Sequence, residues 1–117
     1  MAIPSGSGTE VLKRASVNAN SDAWATAING VANHIYTIIS IVAGNNSLTN
    51  DETIGLRVAI DGSTNITLIP ATGQPLVGGA SFVWNDRIVL SGTDHLDVHN
   101  SAGDVDWLIS YIDQDWT

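Results

Sequence analysis

HIYTIISIVAG, residues His34 to Gly44, is apolar on both alternating faces. One face reads His34, Tyr36, Ile38, Ser40, Val42 and the other Ile35, Thr37, Ile39, Ile41, Ala43. Residues two apart share a face of a strand, so neither face of this segment is polar. Downstream the pattern is strand and turn. Thr53 to Asp61 carries Ile54, Leu56, Val58 and Ile60 on one face. Asp61-Gly62 is a hairpin signal, and Asn65 to Ile69 is the return strand, stopped by Pro70. Ala71 to Gly79 reads as a loop. Ser81 to Trp84 and Arg87 to Leu90 flank Asn85-Asp86, as one bent strand or a tight hairpin. His95 to Asn100, with Leu96 and Val98 inward, and Val105 to Ile112, with Val105, Trp107, Ile109 and Tyr111 on one face, complete the series. Asp113 to Thr117 is read as a short solvated tail.

The first third is less regular. Residues Met1 to Thr9 hold Pro4, Gly6, Gly8, Ser5 and Ser7, the composition of a flexible arm. Glu10 to Val17 alternates as a strand. Between Asn18 and Asn33, Trp24 and Ile28 sit among small polar residues, and Ser21-Asp22 is placed to cap a short helix over Ala23 to Ile28. Seven or eight short strands at intervals of about eight to twelve residues predict an all-β antiparallel sandwich, jelly-roll-like, over residues 10–117 behind an arm at 1–9. An isolated antiparallel sandwich faces water on its outer sides. The two-sided apolar segment therefore needs a cover: the arm, the Trp24 segment or another subunit.

The chain has 117 residues, a length that supports one core without staples. It contains no cysteine, which excludes disulfides and thiolate metal sites. Its net charge is −8, and Lys13-Arg14 is the sole pair of adjacent cations. Phosphate binding needs clustered cations, so neither nucleic acid nor an anionic membrane surface is an expected partner. MAIPSGSGTE has no basic segment followed by a long apolar one, and no apolar run is long enough to span a bilayer. The expected location is the cytosol or an assembly built there.

No constellation points to catalysis. His95 and His99 share strand parity but lie ~13 Å apart along a strand, too far for two ligands of one zinc. They read as exposed side chains on the solvent face, with Asp97 beside His99. Asp104, Asp106, Asp113 and Asp115 lack the spacing of a calcium loop. No G-x-S-x-G elbow or phosphate loop is present. Catalytic, metal and cofactor residues are therefore expected to be none. Of the aromatics, Phe82, Trp84 and Trp107 read as core, and exposed tryptophan would serve a glycan platform or an interface. Trp116, between Asp115 and Thr117, reads as docking on the domain's own surface or on a neighbour.

Three stretches, IPSGSGTEVLKR, ANHIYTIISIV (Ala32 to Val42) and the run from Trp84 to Trp116, cover over half the chain. In them the sequence resembles small virion proteins of tailed, especially marine, bacteriophages. That resemblance implies a β-sandwich or jelly-roll module that decorates a capsid as a cement protein, or forms a small tail or head-fibre part, with no catalytic residues. The expectation taken from it is a homo-oligomer, a trimer first, bound to the major capsid protein on the virion surface and assembled in the host cytoplasm. The alternative is a receptor-binding or fibre module for host glycans. The expected partner-binding residues are Ile3, Pro4, Val11, Lys13, Arg14 and Trp116, with the arm ordering on a neighbour or adding a strand to its sheet.

Overall fold

The computed structural model describes residues 9–18 and 22–116. Among these are nine strands: β1 (Thr9–Val17), β2 (Ala23–Asn29), β3 (His34–Asn45), β4 (Glu52–Ile60), β5 (Thr64–Leu76), β6 (Ser81–Trp84), β7 (Ile88–Ser91), β8 (His95–Asn100) and β9 (Val105–Asp115). Sheet A runs β1-β9-β3-β6, with β7 also on β3, and sheet B runs β2-β8-β4-β5. All pairings are antiparallel. Because β6 and β7 both pair with β3, they act as one strand bent at Asn85–Arg87. Counted so, the pairs 4 with 5, 3 with 6/7, 2 with 8 and 1 with 9 are those of one long hairpin rolled over on itself. That is jelly-roll topology.

The core lies between the sheets. Tyr36, Ile38, Ile41 and Ala43 of β3 and Val105, Trp107 and Ile109 of β9 face Ile54, Leu56 and Val58 of β4 and Leu96 and Val98 of β8. The two-sided apolarity of β3 has a local cause. Its register with β9 shifts between Ile38 and Ser40, leaving Ile39 as a bulge. Before the bulge the even positions Tyr36 and Ile38 are buried; after it the odd positions Ile41 and Ala43 are. A bulge inserts one residue and so exchanges the faces of the strand. It falls opposite the β6–β7 break, where the Arg87 guanidinium donates to the Ile39 carbonyl.

Four sequence expectations are corrected. Ala23 to Ile28 is strand β2, not a helix: it zips onto β8, and its bulge at Ala27 lets both Ala25 and Ile28 face inward. Pro70 does not end β5, which runs to Leu76; as an edge strand it owes no amide to a second neighbour, so Pro70 and Pro75 are tolerated. Asp113 and Asp115 are not a solvated tail but the end of β9, held between β1 and β3. Thr9, placed in the arm, is paired with Asp115 in β1.

Buried polar side chains gather the loops at each end. At one end Asp94 accepts from the amides of Asp61 (2.9 Å) and Ser91 (3.1 Å), while its carbonyl accepts from Gly30 (2.9 Å). At the other, Glu52 accepts from the amides of Ala102 and Asp104, both at 2.8 Å, and Asn45 donates to the carbonyls of Asn50 and Leu76. β1 begins and β9 ends at the Asp94 end, where Trp116 N donates to Asn33 O.

Candidate interaction surface

The two outer faces differ in kind. Outward residues of sheet A align in cross-strand rows. Leu12, Ile112, Thr37 and Val89 form one row; Ser16, Leu108, Val42 and Val83 form another. Between them lies the row Arg14, Ser110, Ser40. Leu12 is 71% exposed, Val89 60%, Val83 51% and Leu108 45%. Arg14 is the one charged residue in these rows, and Glu10 and Asp106 lie beyond them at the margin of the face. The face spans four strands, with exposed Leu and Val side chains in two rows on either side of a polar one, and its scarcity of charge makes it the candidate contact surface.

Sheet B is finished differently. Arg57 Nε donates to Asp97 Oδ2 (3.0 Å), Thr26 Oγ1 donates to Asp97 Oδ1 (3.0 Å), and the guanidinium lies 4.2 Å from the Trp24 ring centroid. Trp24 meets His99 edge-on, and His99 Nε2 is 3.0 Å from Asp22 Oδ1. His99 and Asp97 are buried, so the expectation of exposed side chains on this face fails, as does their direct pairing in favour of Asp22 and Arg57. Gly55 stands opposite His99 in β4, and a Cβ there would lie 2.7 Å from Pro70 O and 2.9 Å from Ala71 Cα. The β5 backbone thus folds over this face where a side chain would stand.

The expected partner-binding residues separate. Ile3 and Pro4 lie outside the described residues. Val11 and Lys13 point to the inner side of β1, opposite Asp113 and Tyr111, where sheet A runs past the core. Lys13 Nζ donates to Asp113 Oδ2 (2.9 Å), and His34 Nδ1 lies 2.7 Å from Asp113 Oδ1. Burial pushes the Asp113 carboxyl up, but the bonds from Lys13 and His34 outweigh it and hold it below the usual carboxylate range. The same bond to Asp113 raises Lys13. Arg14 points to the opposite, outer face and makes no ion pair among the described residues. Trp116 is half-buried on the chain's own surface, its Nε1 enclosed without a partner among the described residues. Sequence reasoning missed the outer face of sheet A as a unit, because the Ile39 bulge changes which residues of β3 belong to it.

A cavity of about 480 Å³ opens at the Asp94 end, lined by Ala32, Asn33, Ile60, Asp61, Ser91 and Thr93, among others. Both Asp94 oxygens accept from backbone amides, and Asp61 Oδ1 accepts from Thr93 Oγ1 (3.1 Å). No group of three metal-ligating side chains occurs among the described residues.

No family model and no curated protein sequence matches the chain. Solved structures do. A protein of the infectious bursal disease virus particle superposes with a TM-score of 0.52 at 10% identity, over 92% of this chain and 31% of that one. A subunit of Bacillus endospore appendages, a family of disulfide-linked pili, superposes at 0.55 with 12% identity, over 100% of this chain and 97% of that one. A pentameric capsid protein from metagenomic phage sequences gives 0.47 at 14% identity, over 87% and 59%, too distant in shape to bear on assembly. The chain therefore spans less than a third of the bursal virus protein and nearly all of the appendage subunit. At these identities the likeness is one of fold: a jelly roll shared with a virus-particle protein and a pilus subunit.

Proposed function

We propose that this chain is a structural subunit of a virus particle, a bacteriophage capsid decoration protein that docks on the major capsid protein lattice and stabilises the head. The observation that carries the reading is the outer face of sheet A, where Leu12, Leu108, Val83 and Val89 remain exposed in two rows across four strands. A lattice binder needs apolar surface that is hidden only on assembly. The virus-particle likeness supports the reading at the level of fold, and fold alone does not carry function. The segment before Thr9 extends the contact, and several copies share one lattice site. The role is contact, with no reaction assigned. The test is proteomics and reconstruction of purified particles: the protein is present in many copies on the shell, and its absence from particles would refute the role.

A filament subunit is the second reading, favoured by the appendage likeness over nearly that whole chain. These 117 residues hold no cysteine to form a disulfide link. A glycan-binding fibre tip is disfavoured. Trp24, Trp84 and Trp116 are half-buried and Trp107 is buried, so none offers an open aromatic platform.

A further inference from the structure

The two sheets present four outer edges, and three are blunted against pairing with another chain. β2 is bulged at Ala27. β5 carries two prolines and loses register around Gly55. β6 and β7 are four residues each, interrupted at Asn85–Arg87. Bulges, prolines and short strands are the usual protections of a sheet edge. β1 has none of them: nine residues run in unbroken register with β9, without proline, and Thr9 to Arg14 are all exposed. Its one protection is the inward-pointing Lys13, which is ion-paired with Asp113; the outward charges are arranged for pairing. Lys13 is drawn inward onto Asp113, and the outer face shows Glu10, Leu12 and Arg14, with Arg14 lacking an ion pair among the described residues.

We propose that β1 pairs antiparallel with β1 of a second copy of this chain, across a two-fold axis through Leu12, joining the two A sheets into one. Symmetry and charge together select the register. A two-fold axis perpendicular to a continuous sheet leaves each face a single face, so opposed residues share parity and their numbers sum to an even value. An axis through Val11 sets Glu10 against Leu12. An axis through Lys13 or Arg14 sets a cation against itself. The axis through Leu12 sets Leu12 against Leu12 and Glu10 against Arg14, and symmetry makes that ion pair twice; on the inner face it sets Val11 against Lys13, whose ammonium keeps its bond to Asp113. The contact also carries the apolar row Leu12, Ile112, Thr37, Val89 across the joint into the copy's own row. It yields a dimer in place of the trimer expected from sequence. It goes beyond the virion reading and does not depend on it, because a shell and a filament can both be built from such pairs.

The test uses sedimentation equilibrium on the full chain, with circular dichroism melts to confirm folding of each variant. The native chain sediments as a reversible dimer. R14E, which sets two carboxylates against two others, weakens self-association by about tenfold or more. The double swap E10R/R14E restores it to within about threefold of native, since the two pairs are then reversed and intact. A native chain that stays monomeric, an R14E variant that associates as tightly as native, or a double swap no tighter than R14E would each overturn the proposal. Loss of dimerisation would leave the particle reading untouched, because that is tested in particles.

Discussion

Asp113 Oδ2 accepts a 2.9 Å hydrogen bond from Lys13 Nζ across 100 positions of sequence, so the last strand's carboxylate and the first strand's ammonium close the inner side of sheet A together. His34 holds the other oxygen. The carboxyl is held below its usual range, against the upward push of its burial, by these two partners. A depressed folded-state value stabilises the fold above the unfolded-state value, near 3.9, and that contribution is lost as pH falls through the folded value. Asp113→Asn is therefore expected to cost about 1–3 kcal/mol near neutral pH. The gap from native should narrow as pH falls below the unfolded-state value, near 3.9, and close once pH has passed through the lower folded-state value. Urea unfolding at neutral pH and across that range checks it; a pH-independent gap would contradict the assignment. Lys13 adds the opposite limb: its raised value keeps its contribution complete below about 10.5, and that is lost as pH rises through it.

Gly55→Ala places a Cβ 2.7 Å from the Pro70 carbonyl, a backbone atom that cannot swing aside. The expected cost is about 1–3 kcal/mol, the range for overpacking. Gly44→Ala is the control, with nothing within 4 Å of its added Cβ, and should stay within about 0.5 kcal/mol of native. Thermal unfolding of the two variants compares them directly. Equal melting temperatures would mean that β5 does not lie over Gly55.

Asp94 ties three turns at the end where the chain enters the fold. Asp94→Ala strands the Asp61 and Ser91 amides and should cost about 2–3 kcal/mol. Hydrogen exchange gives the specific readout: those two amides should speed up more than the Gly30 amide, which bonds to the backbone carbonyl of residue 94 and keeps its partner.

The outer face of sheet A should be separable from the fold. Val89→Asp and Leu108→Asp change residues that are already 60% and 45% exposed, so their melting behaviour should stay close to native. Their incorporation into particles should fall sharply, measured as copies per shell against native. Deleting residues 2–8 should likewise leave the strands intact, since β1 begins at Thr9, and impair incorporation. Variants that incorporate as native does would remove this face and the arm from the docking mechanism.

Much of the architecture is visible in residue order. Asp61-Gly62 announces the β4–β5 hairpin because both residues adopt positive φ, 52° and 72°, which a primed turn requires. The alternation of Val105, Trp107, Ile109 and Tyr111 survives intact because β9 is bracketed on both sides. Three features hide. The Ile39 bulge exchanges the faces of β3, so an apolar pattern that reads as two-sided is one-sided with a step. β2, written in small residues, owes its conformation to β8 rather than to its own propensity. Asp97, His99 and Asp113 look like surface residues because burial of charge depends on distant partners, Arg57, Asp22 and Lys13, that no local spacing announces.

The central claim is that the apolar outer face of sheet A is covered in an assembly. A high-resolution reconstruction of the source particle measures it most directly. The account predicts many copies of this jelly roll on the shell, with Leu12, Val83, Val89 and Leu108 enclosed against neighbouring protein. Particles that lack the protein, or that carry it with those four side chains facing solvent, would contradict it.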